Sequence, residues 1–238
     1  LGSYGHAAHL VWHDGVPPEF GQELFADDLS QLEAIYDSAA ALFPMLDEAG
    51  IQRFVNGPIP YAPDAQPLVG PAPGLSNAYH ACAVQIGFCQ GPAAGKAIAE
   101  MILEGETEWD SWTWDPRRFG DWATQEFTGA RICELYENQY AAPFPHRVWQ
   151  AGRPVARSPL HDVLKAKGAV HAQIGGWERP IWFQTQTARD DGQLSFRHES
   201  WTEAVTAECE AVRDRVGVMD HCGFTRYLVE GPGAADWL

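Results

Sequence analysis

The stretch YHACAVQIGFCQGPAAGKAIAEMIL (Tyr79–Leu103) limits what this chain can fold into more than any other. Tyr79–Ile86 reads as a short buried strand. A glycine-rich turn follows, and Pro92–Leu103 reads as a helix, with Pro92 suited to the first turn and Gly105 to the stop. The turn invites comparison with a phosphate loop, GxxxxGK[ST], in which backbone N–H groups wrap phosphate and a hydroxyl holds Mg²⁺. Gly91–Lys96 is one residue too short for that pattern, and Ala97 stands where the hydroxyl belongs. A glycine turn ahead of a helix still presents unpaired N–H groups at the positive end of the helix dipole, where an electron-rich group is favoured. The Gly/Ala run Gly91–Gly95 also lets a flat ligand approach the backbone. From the residues alone, the unit is either such a seat or a plain strand-to-helix crossover.

Upstream, Asp27–Leu46 predicts an amphipathic helix with Leu29, Leu32, Ile35, Tyr36, Ala39 and Phe43 on one stripe, started by Asp27 or Asp28 and ended by Pro44 and Gly50. The run NGPIPYAPDAQPLVGPAPG (Asn56–Gly74) has few donors for a sheet ladder and reads as an ordered, irregular wall. Composition changes near residue 106, where Trp109, Trp112, Trp114 and Trp122 crowd ahead of a helical stretch, Gly120–Tyr136. It changes again near Ser158, where a short helix leads into glycine and aromatic residues. Ala204–Val216 predicts another helix, with Val205, Cys209, Val212 and Val216 on one side. VGVMD and FTRYLVEG read as a strand pair turned by Gly223.

Several chemistries find no support. A net charge of −16, from 16 basic against 32 acidic residues, speaks against nucleic acid and anionic membrane surfaces as partners. No run approaches the ~18 apolar residues of a membrane span, and no signal-peptide pattern opens the chain, so a soluble, intracellular protein is expected. The five cysteines lack metal spacing and read as reduced thiols. His6, His9 and His13 lie near one another without a ligand set, no metal site is expected, and the nine histidines do not cluster usefully. Ser76, Ser158 and Ser195 sit in no nucleophile elbow. The chain opens on Leu1 and closes on Ala-Ala-Asp-Trp-Leu238 as a helix begins, so it is expected to be a piece of a longer polypeptide.

Three stretches together resemble one family. GVPPEFGQELFADDL with Asn56–Gly105 is similar to the C-terminal part of the flavin domain of dimethylglycine and sarcosine dehydrogenases, which are D-amino-acid-oxidase-like flavoproteins. WDPRRFGDWATQEFTGARICELYENQY with RVWQAGRPVARSPLHDVL resembles their small central domain. KGAVHAQIGGWERPIWF with AECEAVRDRVGVMDHCGFTRYLVEGPGAADWL resembles the start of a folate-binding domain related to the glycine-cleavage T-protein. The resemblance implies a mixed α+β and α/β fold. Its parts are the end of an FAD/substrate domain (1–105), a central α+β domain (106–157) and a truncated folate-binding domain (158–238).

By that resemblance, Ala83, Val84, Gln85, Ile86, Gly87 and Phe88 match the segment that contacts FAD, with the helix N-terminus facing the N1/O2 edge of the flavin. This sequence carries Ala83 where a glycine is common, and Lys96 becomes a helix-surface charge. Asn56, Gly57, Pro58 and Ile59 match the loop at the reactive side, where backbone shapes the amine pocket; Tyr61 and Asp64 lie close by, Asp64 suited to fixing the turn. The implied reaction moves hydride from the N-methyl group of dimethylglycine or sarcosine to the flavin, and tetrahydrofolate captures the one-carbon unit. An electron-transfer flavoprotein is a possible acceptor, and the setting is bacterial cytoplasm or mitochondrial matrix. No catalytic residue is assigned. The family's assisting Tyr, its flavin-tethering His and the dinucleotide GxGxxG match nothing here and are expected upstream, with the catalytic Asp of the folate domain beyond Leu238. On that expectation the chain alone is inactive and does not hold FAD tightly. A flavin oxidase of another secondary or tertiary amine, and a non-catalytic scaffold subunit of a hetero-oligomeric sarcosine oxidase, fit the same residues.

Overall fold

A computed structural model describes residues 7–238, so His6 lies outside the described residues. The chain forms two compact units, Leu1–Ala142 and Pro143–Leu238. Its elements are mixed helix and strand, and its two sheets are two-stranded antiparallel ribbons.

In the first unit, α1 spans Ser30–Leu42. Asp28 sets its start by accepting from the N–H and hydroxyl of Ser30, while Phe43 donates back to the Ala39 carbonyl and Pro44 opens a 3-10 turn, Pro44–Asp47. The expected helix is therefore shorter at both ends, because Pro44 lacks the N–H to continue it. Of its stripe, Leu32, Ile35 and Ala39 are half-buried, whereas Leu29, Tyr36 and Phe43 stand exposed.

Strands β1 (Leu68–Pro71) and β2 (Tyr79–Cys82) pair with Leu68 opposite Cys82 and Pro71 opposite Tyr79. Two expectations fail here. The strand stops at Cys82 instead of Ile86, and all four of its residues are exposed. The cause is Ala83, whose φ of 53° swings the chain into the left-handed region; Gln85 N–H then closes a tight turn on the Ala83 carbonyl. The helix also begins earlier than expected. α2 runs Gly87–Leu103, so Gly91, Pro92 and Gly95 lie inside it. The glycine stretch is helix, not loop. Ala94 and Ala97, both buried, let α2 press against Val69, with Val84, Ile98, Trp109 and Trp114 closing the cluster. Gly70, at φ 151°, lies against the 3-10 turn Pro116–Arg118, where an added Cβ would stand 3.1 Å from Pro116 Cδ. α3 spans Gln125–Asn138; Thr124 Oγ accepts from Phe127 N–H, which places the start after the expected Gly120.

In the second unit, α4 (His161–Ala166) precedes a hairpin of β3 (Ala169–Ile174) and β4 (Trp177–Phe183). Gly175 and Gly176, at φ 57° and 82°, make its two-residue turn, a conformation that side chains resist. α5 (Thr202–Asp214) buries Ala204 and packs Val205 and Trp201 onto Trp182 and Ala188. Cys209, Val212 and Val216, expected on that face, are exposed. The expected strand pair at 216–220 and 224–231 does not form, and α6 (Ala234–Trp237) follows directly. Val218, Tyr227 and Leu228 are almost wholly exposed, so pairing the two segments would bury little, and an isolated ribbon is marginal in water.

Ser158, no nucleophile, is structural. Its hydroxyl accepts from Leu160 N–H ahead of α4 and donates to Asp220. Asp220 also accepts from the Cys222 thiol and N–H, and the Cys222 and Ser158 bonds hold its carboxyl down to about 2. A depressed carboxylate contributes stability above its unfolded value, which is lost as pH falls through the folded one. Asp220→Asn is expected to cost about 1 kcal/mol near neutral pH, after discounting for solvent screening. The gap from the unaltered protein should close between pH ~4 and ~2. Urea titrations at pH 7 and pH 3 check this; an equal gap at both would refute it.

Candidate functional site

The expected cofactor segment divides by direction. Ala83 is buried and Val84 packs on the Val69 cluster, so these two serve the core. Ile86 is exposed, Gly87 has nothing within 4 Å of an added Cβ, and the Phe88 side chain is fully in solvent. The N-cap of α2 is Ile86, which offers no side-chain acceptor, and the first turn holds no acidic residue. Ile86 carbonyl accepts from Cys89 and Gln90 N–H. That leaves Gly87 and Phe88 N–H without partners among the described hydrogen bonds, at the positive end of a 17-residue helix. Beside them, the Gln85 side-chain amide buries its Nε2 without a partner. Gly87, Gly91 and Gly95 are spaced four residues apart along α2, and an added Cβ on any of them meets nothing within 4 Å. A flat, electron-rich ring fits this donor set and this bare helix face. Lys96 is turned to other work: it pairs with Glu100 and with Glu108 (2.9 Å) and lies 4.7 Å over the Trp109 ring.

The expected pocket segment is held at its ends. Asn56 carbonyl accepts from Phe25 N–H at 2.8 Å, and Asn56 Nδ2 donates to the Ala26 carbonyl at 2.8 Å. Gly57, Pro58 and Ile59 are exposed. Tyr61 donates its hydroxyl to Gln139 and meets Tyr136 edge-on. Asp64 does fix a turn, accepting from Gln66 N–H at 3.0 Å, and it also takes a two-pronged bond from Arg118. No described hydrogen bond joins Asn56–Ile59 to Ala83–Phe88.

One cluster escapes the sequence. Packing of α4 on β3 brings the His161 and His171 rings to 4.4 Å between centroids, a contact the sequence does not announce. Burial, then the neighbouring His161, pushes the His171 pKa down, and its Nε2 is buried without a partner. Glu178, buried on β4, faces Arg153 across two bonds; burial raises its pKa, but Arg153 more than offsets this and keeps it below the usual carboxylate range. Among the described residues no group of three or more His, Cys, Asp and Glu could hold a metal ion. No helix among them is long and apolar enough to cross a membrane.

Residues 5–101 match the FAD dependent oxidoreductase family, 104–158 the FAD dependent oxidoreductase central domain, and 160–238 the GCVT N-terminal domain. The mitochondrial dimethylglycine dehydrogenase of Mus musculus is 38% identical over 234 residues, covering 97% of this chain and 26% of that protein. The chain is thus similar to dimethylglycine and sarcosine dehydrogenases over nearly its whole length. The mitochondrial sarcosine dehydrogenase of the same organism is 29% identical over 264 residues, 98% of this chain and 29% of that protein. A 4-methylaminobutanoate oxidase (formaldehyde-forming) of Paenarthrobacter nicotinovorans is 31% identical over 231 residues, 94% of this chain and 28% of its own. The chain thus spans about a quarter of the length of the curated relatives it matches. The fold class is the one the family resemblance implied, flavin-oxidoreductase segments followed by the start of a GCVT domain. The α2 N-terminus lies within the matched flavin-oxidoreductase segment.

Proposed function

We propose that this chain forms the flavin-edge and amine-facing parts, and the opening of the folate-binding domain, of an FAD-dependent enzyme that oxidatively demethylates dimethylglycine or sarcosine. The observation that carries the proposal is the uncapped N-terminus of α2, with two N–H groups unpartnered among the described hydrogen bonds, inside a segment of the FAD dependent oxidoreductase family. FAD, when bound, supplies the hydride acceptor. The chain's own part is to hold and orient. Gly87 and Phe88 N–H would bind the electron-rich ring edge, and the helix dipole favours negative charge there by roughly 0.3–2 kcal/mol. Of Ala83–Phe88, the last four residues would form the cofactor side, with Ala83 and Val84 behind them in the core, and Asn56–Ile59 the substrate side. Pro58 and Pro60 stiffen the latter, so the N-methyl group meets a wall that needs little rearrangement. The amine reacts unprotonated, and a wall that removes water from it lowers its pKa.

The same reading divides the chain at 105/106 and 157/158, supported by the seams between matched segments. Residues 158–238 would begin the domain in which tetrahydrofolate captures the one-carbon unit, and an electron-transfer flavoprotein would reoxidise the flavin. Relatives named as mitochondrial and one from a bacterium support a matrix or bacterial-cytoplasm setting.

The test uses protein expressed from the complete reading frame, with its flavin bound and oxygen excluded. Dimethylglycine or sarcosine should bleach the flavin, and added tetrahydrofolate should divert formaldehyde into methylene-tetrahydrofolate. Bleaching by 4-methylaminobutanoate alone would move the substrate assignment to a longer N-methyl amine. No bleaching by any of the three would overturn the reading.

A further inference from the structure

We infer that Arg118 and Asp64 are a positioning pair that sets where the amine-facing span Gly57–Pro60 lies, and hence how tightly substrate is held; this rests on the functional reading above. The span has no hydrogen bonds of its own among those described, its four residues are exposed, and its two prolines have no N–H to give. Its position therefore follows from its two ends. At one end it hangs from Phe25 and Ala26 through Asn56. At the other, Tyr61 is bonded to Gln139, Ala62 is buried, and just beyond them a single guanidinium makes four bonds. Arg118 donates from Nε to Asp64 Oδ2 (2.7 Å), from Nη2 to Asp64 Oδ1 (2.9 Å) and to the Gln66 carbonyl (3.0 Å), and from Nη1 to the Asp115 carbonyl (3.0 Å).

The Arg118 side chain is 9% exposed and that of Asp64 38%, so the pair is buried at its guanidinium and open to solvent at its carboxylate. Arg118 lies on the 3-10 turn Pro116–Arg118, which packs on β1, and Asp115 caps that turn by accepting from Arg117 N–H. The clamp thus ties the wall to β1, whose Val69 is packed against α2. Wall and cofactor helix both rest on β1. A guanidinium fork fits a carboxylate in a fixed plane, which a lysine or a neutral partner cannot reproduce.

The experiment compares the flavin-loaded full protein with Asp64→Asn, Arg118→Gln and the double variant. Half-saturating dimethylglycine or sarcosine for anaerobic bleaching should rise about tenfold in each single variant, the scale of a small misplacement of a positioning group. Flavin content and limiting bleaching rate should stay within about twofold. The double variant should be no worse than the poorer single one, because both remove the same unit. Amide exchange at Phe25 and Gln66, whose N–H groups donate to the Asn56 carbonyl and to Asp64, should quicken in all three. Unchanged half-saturation with a lower unfolding midpoint would reduce the pair to a stabilising contact and overturn the inference. If none of the amines bleaches the unaltered protein, the functional reading fails first and takes the substrate role with it. Exchange at the same two amides then decides the clamp by itself, and unchanged exchange in Arg118→Gln overturns that too.

Discussion

Replacing Glu178 by Ala is expected to destabilise the second unit by about 3 kcal/mol, the low end of what breaking a buried ion pair costs. Glu178 is 5% exposed on β4 and receives Arg153 Nε at 2.9 Å and Nη2 at 2.5 Å. Arg153 also donates to the His171 carbonyl at 2.8 Å, so one guanidinium bridges both strands of the hairpin. Removing the carboxylate leaves a guanidinium whose side chain is only 14% exposed at the His171 carbonyl, without the carboxylate it is bonded to. The desolvation already incurred for that charge is then uncompensated. Leaving one partner charged should therefore cost more than removing both. Arg153→Met with Glu178→Leu should recover most of the loss, since an apolar pair of similar volume avoids the stranded charge. Amide exchange in β3 and β4 under native conditions reads the second unit separately from the first. A Glu178→Ala loss below about 1 kcal/mol, or a double variant worse than the single, would show that the pair is screened by water and does little.

Acid should weaken the same cluster in two stages. His171 has its pKa pushed down, first by burial and then by His161. Below ~6.5 the unfolded chain binds a proton that the folded one resists, so stability falls as pH drops through that value. Glu178, with its pKa held below the usual carboxylate value, contributes stability above ~4.5 that is lost on further acidification.

What the sequence made legible follows from the range of the forces involved. Helix α1 announced itself through its stripe, and its end through Pro44, because capping and termination are local. The Gly175–Gly176 turn was equally local, two glycines between apolar runs, and was the signal that would have given β3 and β4. The α2 start was misplaced because Gly91 and Pro92 read as a loop. Packing of Ala94 and Ala97 on Val69 outweighs the weak helix preference of the residues before them. The Arg118 clamp, at Asp64 and fifty-four residues away in sequence, and the His161–His171 contact join segments with no shared pattern. Nothing local marks them. Residues 216–231 failed in the opposite way: strand-like residues gave a strand expectation, but a strand needs a partner, and these segments pair neither with each other nor with either ribbon.

Gly87→Val should abolish flavin binding while leaving the fold in place. An added Cβ at Gly87 meets nothing within 4 Å, and Gly87 is not among the residues at positive φ, so Val can occupy the position without clash or backbone strain. As the first residue of α2 it sits where helix preference matters least, and its cost to stability should be a few tenths of a kcal/mol. The same branched side chain stands directly over the Gly87 and Phe88 N–H groups. A ring edge that must reach those donors would be held off by the valine methyls, losing the hydrogen bonds and the close approach to the helix dipole together. FAD affinity should fall by at least about a hundredfold, equivalent to ~2.8 kcal/mol, read as flavin content after gel filtration and as fluorescence on titration with FAD. Gly95→Val supplies the contrast. It is open in the same way, but two turns farther along α2, beyond the reach of the terminal N–H groups, and should retain flavin. If both variants lose flavin, the whole glycine face and not the helix terminus carries the contact. If Gly87→Val keeps it, α2 is a crossover that braces Val69, and the free N–H groups at its start are left to water.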